Sequence, residues 1–406
     1  MLKKIPVAEV RSGMFIHGFE GSWLSHPFWR NKFVIAEPDD LLRLRQSGLS
    51  GVWIDTDKGG DVGDPAVAPA PLPAALPDEP QVAPDSNAPK TAAFARCSAR
   101  DELQRAARII SRSKKAVTEL FGEARLGKAI DVNGCLPLVA EISDSLARNS
   151  SALIGLARLK HKDEYTYMHS VAVCALMISL SRQLGLDEDT ARAAGLAGLL
   201  HDVGKMAMPE AVLNKPGHLT DAEFAVMRSH PERGHAMLFS AGSIPASALD
   251  VCLHHHEKYD GSGYPHRLQG EDISLFARMA AVCDVYDAIT SNRPYKQAWN
   301  PAESLARMAQ WNGHFDTQVF HAFIRSVGIY PLGSLVRLES GRLGVVIDQH
   351  PEKLTEPLVR VFFSAKTKTP IQQLDLDLSR RGVTDRIIGR EDPAHWGFSN
   401  LDDFWK

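Results

Sequence analysis

Ala191-Arg192-Ala193-Ala194-Gly195-Leu196-Ala197-Gly198-Leu199-Leu200-His201-Asp202-Val203-Gly204-Lys205 decides how this chain is read. The run Ala191–Leu200 has the composition of a helix, and Gly204 stops it. At its end stand His201 and Asp202. An adjacent His-Asp pair offers a neutral nitrogen and an anionic oxygen to one point. The carboxylate can also bridge two cations, which an imidazole cannot do without losing both protons. Such pairs are common on protein surfaces, so the neighbours decide the matter.

Twelve of the 16 histidines lie between His161 and His321, where an even scatter would put about six. His169 heads an apolar helix, 32 residues before His201. His230 precedes Pro231, at a junction between two helices. His254-His255-His256-Glu257 closes another helix before a glycine-rich loop, and Glu257 reads as a partner that orients a ligand histidine. Asp284 lies inside the apolar helix Leu275–Ile289, where an unpaired carboxylate would be costly to bury and metal coordination would compensate it. The remaining histidines read as structural or surface residues.

The rest of the chain frames this centre. At 406 residues, two or three domains are expected. A formal charge of −3 argues against a polynucleotide binder, which would show a basic face. No apolar run reaches the ~18–20 residues of a bilayer span, and the N-terminus has no signal-peptide pattern, so a cytoplasmic location is expected. Five scattered cysteines form no CxxC pair, which argues against a disulfide framework or a thiolate zinc site.

The expected fold class is mainly α. Residues 1–58 read as a small α+β module, with a helix over Asp39–Gly48. Residues 59–97 form a linker; eight of the 25 residues from Pro65 to Pro89 are proline, which favours an extended tether. Residues 98–158 are amphipathic helices suited to packing or dimerisation, 159–330 an all-helical domain, and 331–406 a small β-rich appendage. Strands are expected within Ser334–Asp348, Pro357–Ala365 and Ile371–Leu378.

The motifs, taken in order, resemble the HD-GYP family. They are His169-Ser170, then His201-Asp202-Val203-Gly204-Lys205, then Lys215-Pro216-Gly217 and His230-Pro231-Glu232-Arg233-Gly234. The match continues through His255-His256-Glu257-Lys258-Tyr259-Asp260-Gly261-Ser262-Gly263-Tyr264-Pro265, Asp284-Val285-Tyr286-Asp287-Ala288-Ile289-Thr290-Ser291 and Arg293-Pro294-Tyr295. Residues 1–58 look like a domain of unknown function often found ahead of HD-GYP domains.

The resemblance implies an all-helical fold of the HD phosphohydrolase superfamily. It also implies a metal-dependent phosphodiesterase that hydrolyses the bacterial second messenger cyclic di-GMP to pGpG, with GMP after a second cut. The metal ligands it implies are His169, His201, Asp202, His230, His255, His256 and Asp284, with Asp202 bridging. His254 is left out, because residues two apart on a helix diverge by about 200°. Members with a third metal have a glutamate one turn before the first histidine. Here that position is Tyr165, and Glu164 falls off the face, so two divalent ions are expected. Iron or manganese is implied; nitrogen and oxygen donors also accept nickel, cobalt or zinc.

A pair of ions would activate a hydroxide for in-line attack on phosphorus. Asp202 and Lys205 are the catalytic candidates. Lys205 is expected to reach a phosphate oxygen or the leaving 3′ oxygen, the resemblance implies that Arg293 and Lys296 contact phosphate or base, and Tyr264 is expected to shape the pocket. Two alternatives stand beside this reading: a cyclic di-GMP-sensing adaptor acting through a diguanylate cyclase or other signalling proteins, and a hydrolase of another cyclic dinucleotide such as cyclic GMP-AMP.

Overall fold

The structure, a computed structural model, describes residues 2–19, 33–35, 41, 44–45, 51–60, 96–128, 130–159, 165–215, 217–242, 244–291, 298–350 and 352–405. The chain divides into two units, Met1–Ala92 and Ala93–Lys406. In the first, strands β1 (Leu2–Pro6), β2 (Phe15–Phe19), β3 (Phe33–Val34) and β4 (Gly51–Asp55) form an antiparallel sheet in the order β1-β4-β2-β3. Alternation sets its faces: Val52 and Ile54 are buried while Trp53 between them faces out. They share a core with Ile5, Met14, Ile16 and Leu44. The helix expected over Asp39–Gly48 falls mostly outside the described residues, as do residues 61–95 of the linker.

The second unit is built around one helix. Helices α1 (Ala99–Arg125) and α2 (Leu136–Arg158) form an antiparallel pair, followed by α3 (Tyr165–Gln183) and α4 (Glu188–Leu200). In α3, every residue from Val171 to Leu180 is buried. A helix apolar on all sides must be surrounded, and α3 packs against α1, α2 and α4. The approach of α4 is unusually close. A Cβ on Gly198 would lie 2.9 Å from Met177 Sδ and 3.1 Å from the Val173 carbonyl oxygen, so only glycine permits it. This contact brings the C-terminus of α4, with His201 and Asp202, beside His169 on α3.

Further along lie α5 (Asp221–Met227), α6 (His230–Ala241), α7 (Ala246–His254), α8 (Leu275–Thr290), α9 (Pro301–Met308) and α10 (Thr317–Val327). Helix α8 crosses α3 and α10 packs against both. Among the described residues no helix is long and apolar enough to cross a membrane.

Strands β5 (Leu335–Leu338), β6 (Arg342–Asp348), β7 (Leu358–Ser364), β8 (Thr369–Asp377) and β9 (Ile387–Arg390) form an antiparallel sheet ordered β8-β7-β6-β5-β9. One face buries Leu335, Leu343, Val345 and Trp405 against Leu103 of α1 and Leu156 of α2, so sheet and helices share a core. The first four strands fall within or overlap the stretches expected from alternation. β9 escapes that test because four residues with one apolar pair give too short a period.

Glu102 ties α1 to α2. It is fully buried, and its carboxylate accepts hydrogen bonds from Arg148 Nε (2.9 Å) and Nη2 (2.8 Å), Ser145 Oγ (2.9 Å) and Arg105 Nε (2.9 Å). Burial alone would raise its pKa; the hydrogen bonds from Arg148 and Ser145 outweigh that and hold it below the ordinary 4.5. The Glu102→Ala variant is expected to lose about 3 kcal/mol in urea melts. Because the folded pKa is the lower one, this contribution is present above about pH 4.5 and is lost as pH falls through the folded value. The gap between wild type and variant should therefore narrow in acid.

Candidate metal centre

Four imidazoles converge on one carboxylate. His169 comes from the first part of α3, His201 and Asp202 from the end of α4, His230 from the first residue of α6 and His255 from the residue after α7. All five are buried. Asp202 Oδ2 faces His201 Nε2 (3.3 Å) and His169 Nε2 (3.5 Å). Its other oxygen, Oδ1, faces His230 Nε2 (3.3 Å) and His255 Nε2 (3.7 Å). Each oxygen thus addresses its own pair of rings.

The backs of the rings fix which nitrogen faces inward. His201 Nδ1–H donates to the Gly198 carbonyl (2.7 Å), His230 Nδ1–H to Met227 (2.8 Å) and His255 Nδ1–H to Val251 (3.0 Å). His169 Nδ1–H donates to Asp287 Oδ2 (2.6 Å). With Nδ1 protonated, each Nε2 presents a lone pair to the centre. His230 Nε2 and His255 Nε2 then lie 3.3 Å apart, two lone pairs that repel unless a cation lies between them. His201 Nε2 and Asp202 Oδ1, both buried, have no hydrogen-bond partner among the described residues. Buried donor atoms of this kind, facing one another without protons, fit a cation centre.

A second carboxylate closes the ring. Asp284 on α8 places Oδ1 2.9 Å from His169 Nε2 and Oδ2 3.8 Å from His256 Nδ1. Two three-residue groups, His169–His201–Asp202 and His230–His255–His256, could each hold a metal ion. Burial, reinforced by the neighbouring imidazoles, holds His255 well below the ordinary histidine value; burial brings His256 to about 3. Both are neutral donors in the working pH range. Burial would raise Asp202, but the Lys205 ammonium beside it holds it well down in the ionised form.

Gly204 lets the centre close. A Cβ there would sit 1.9 Å from the His230 carbonyl oxygen and 2.5 Å from the Gly234 nitrogen. The turn after Asp202 therefore touches the start of α6 backbone to backbone, and His230 reaches the Asp202 carboxylate.

The structure brings together all seven residues selected as ligands. Lys205 Nζ lies 2.5 Å from Asp202 Oδ2 and lines a cleft of about 460 Å³ over the centre. Tyr264 lines the same cleft, its ring stacked on His256 at 4.8 Å with the Arg228 guanidinium 4.4 Å from its centroid. His254 turns away: its Nδ1 meets Asp250 (2.7 Å) and its Nε2 meets His266 (2.9 Å). Arg293 and Lys296 lie outside the described residues, as do Glu164 and the side chain of Tyr165. Glu257 is a correction. Its Oε1 accepts the backbone N–H of His266 (2.7 Å), so it holds the loop, not a ligand histidine. The helix ends at His254, and helical spacing no longer says where Glu257 points.

A family model described as a domain of unknown function, DUF3391, matches residues 2–135, and an HD-domain model matches residues 142–319. A cyclic di-GMP phosphodiesterase of Pseudomonas aeruginosa is 55% identical over 408 residues, covering 100% of this chain and 96% of that protein. The chain belongs to the HD-GYP family. A second relative, a cyclic di-GMP phosphodiesterase response regulator of Xanthomonas campestris, is 41% identical over 192 residues, 46% of this chain and 50% of its own length. A solved HDGYP protein from Bdellovibrio bacteriovorus is 18% identical with a TM-score of 0.47, covering 80% of this chain and 98% of that one. HD domains are metal-dependent phosphohydrolases, and the histidine-aspartate cluster is where this chain could hold metal.

Sequence reasoning missed Asp287. The signal was present: Asp284 and Asp287 stand three apart, on one face of an otherwise apolar helix. Asp287 is buried and fixes the tautomer of His169. The Asp287→Asn variant is expected to bind manganese about 10–100-fold more weakly while keeping its fold. Competition against a fluorescent chelator would measure this.

Proposed function

We propose that this protein hydrolyses cyclic di-GMP, opening one phosphodiester by addition of water to give pGpG, with GMP as the product of a second cut. The supporting observation is the Asp202 carboxylate, with each oxygen directed at a separate pair of imidazole nitrogens. A carboxylate so placed suits a bridge between two divalent cations. His169, His201 and Asp202 would hold one, His230, His255 and His256 the other, and Asp284 reaches towards both groups. When bound, such a pair neutralises phosphoryl charge and lowers the pKa of water held between its members. Iron or manganese is the proposed occupant, and the donor set admits nickel, cobalt or zinc.

The remaining steps fall to the chain itself. Lys205, beside Asp202 and at the cleft wall, would meet a phosphoryl or leaving 3′ oxygen with its ammonium. Tyr264 and the half-exposed Phe224 line the same cleft and offer rings to a guanine face. Arg293 and Lys296 are proposed to contact phosphate or base. The 55% identical relative named as a cyclic di-GMP phosphodiesterase supports this substrate.

Turnover and metal content together test the reading. Purified protein loaded with manganese should convert cyclic di-GMP to pGpG on ion-exchange chromatography. The Asp202→Ala variant should lose at least about 1,000-fold in rate and most of its bound metal. Lys205→Ala should keep its metal and lose about 10–100-fold in rate. Faster turnover of 3′3′-cyclic GMP-AMP would assign a different substrate. Cyclic di-GMP binding and signalling output untouched by Asp202→Ala would make the protein a sensor.

A further inference from the structure

A second cavity, of about 400 Å³, lies where helix α2 breaks, and it shares no lining residue with the metal cleft. Its size is within the roughly 300–1,000 Å³ of small-molecule sites. Its wall is basic. Arg96, Arg148, Arg182 and Arg325 line it, while the one acidic residue on the lining, among those described, is Asp348. That carboxylate is engaged: Oδ2 accepts the Ala99 N–H (2.9 Å) and Oδ1 an Asn149 amide N–H (3.3 Å). Arg148 and Arg182 are held in place by Glu102 and Glu188.

The break in α2 adds a second kind of anion donor. Asn149 has extended backbone angles (φ −161°, ψ 108°) inside an otherwise helical stretch. Its Oδ1 accepts the Ala152 N–H (3.1 Å), which is how an N-cap begins a helix. The nine residues 150–158 are therefore a helix of their own. Its first residues, Ser150 and Ser151, line the cavity. The first turn of a helix has N–H groups without partners in the helix and favours negative charge. A helix start and arginine side chains lining one polar cavity make a donor set suited to phosphate.

We propose that this cavity is a binding site for a phosphate group, free or carried on a ligand of up to nucleotide size, separate from the metal centre. The Arg96 and Arg325 guanidiniums would meet the phosphate directly, Arg148 and Arg182, forked onto Glu102 and Glu188, would add charge at the wall, and the Ser150–Ser151 N–H groups and hydroxyls would complete its shell. Ser150, Ser151 and Ser326 also border a small gap reaching Asp287, the partner of His169, so the site adjoins the support of the metal centre.

Equilibrium dialysis of GMP and of inorganic phosphate against the manganese-loaded full chain tests this. Saturable binding is expected that survives Asp202→Ala and weakens at least about tenfold in Ser151→Asp. An aspartate in the first turn suits the helix, so that variant should fold while repelling the anion. Arg96→Ala, at an exposed side chain, should weaken binding in the same direction. If GMP binds more tightly than phosphate, the ligand is a nucleotide; equal affinity makes free phosphate the ligand, and both sources support the site. The proposal is overturned if neither anion saturates by about 1 mM. It is also overturned if all binding disappears in Asp202→Ala, or if Ser151→Asp and Arg96→Ala both bind as wild type does. These readouts are independent of cyclic di-GMP turnover, so the site and the proposed reaction can fail separately.

Discussion

Asp202 sits buried between four imidazole nitrogens, and much of the helical unit follows from that placement. A buried carboxylate is costly unless charge or protons compensate it. Here backbone carbonyls and Asp287 fix each Nδ1 as a donor, so the neutral rings turn their Nε2 lone pairs towards Asp202. The result is a convergence of lone pairs and negative charge that is poor as a protein interior and good as a cation cage. Lys205 provides the one ammonium beside Asp202 among the described residues, from the edge of the cleft.

Holding the rings in place requires a scaffold with little play. Helix α3 supplies it by being buried on every side, so His169 has a fixed depth and angle. Two backbone contacts then set the other ligands: Gly198 against α3, and Gly204 against the start of α6. At both, a methyl group would push apart the elements that bring His201, Asp202 and His230 together. Helix α8 works to the same end: Asp287 orients the ring of His169 while Asp284, one turn earlier, faces the centre.

Chemistry at a helix end was legible because residue type and position coincide there. His201-Asp202 after a small-residue helix, His230 before Pro231 and His255-His256 at a helix terminus all mark places where side chains leave a packed surface. Residues placed by loops were less legible. Glu257 follows the helix terminus, and its direction depends on how the chain turns back over His266. The short strand β9 and the break at Asn149 were also unreadable, since each depends on partners distant in the chain: β5 for the strand, Asp348 and Cys97 for the asparagine.

The sequence by itself determined the mainly helical class, the small sheets at either end, and the identity of the donors, because periodicity and residue chemistry are local properties. Tertiary structure decided that Asp202 divides its two oxygens between two sets of rings, that Asp287 stands behind His169, and that arginines from three helices, with Arg96 three residues before α1, line a second cavity. These are distances between residues up to 229 positions apart (Arg96 to Arg325). They are set by how closely helices can pack, which a one-dimensional pattern does not record.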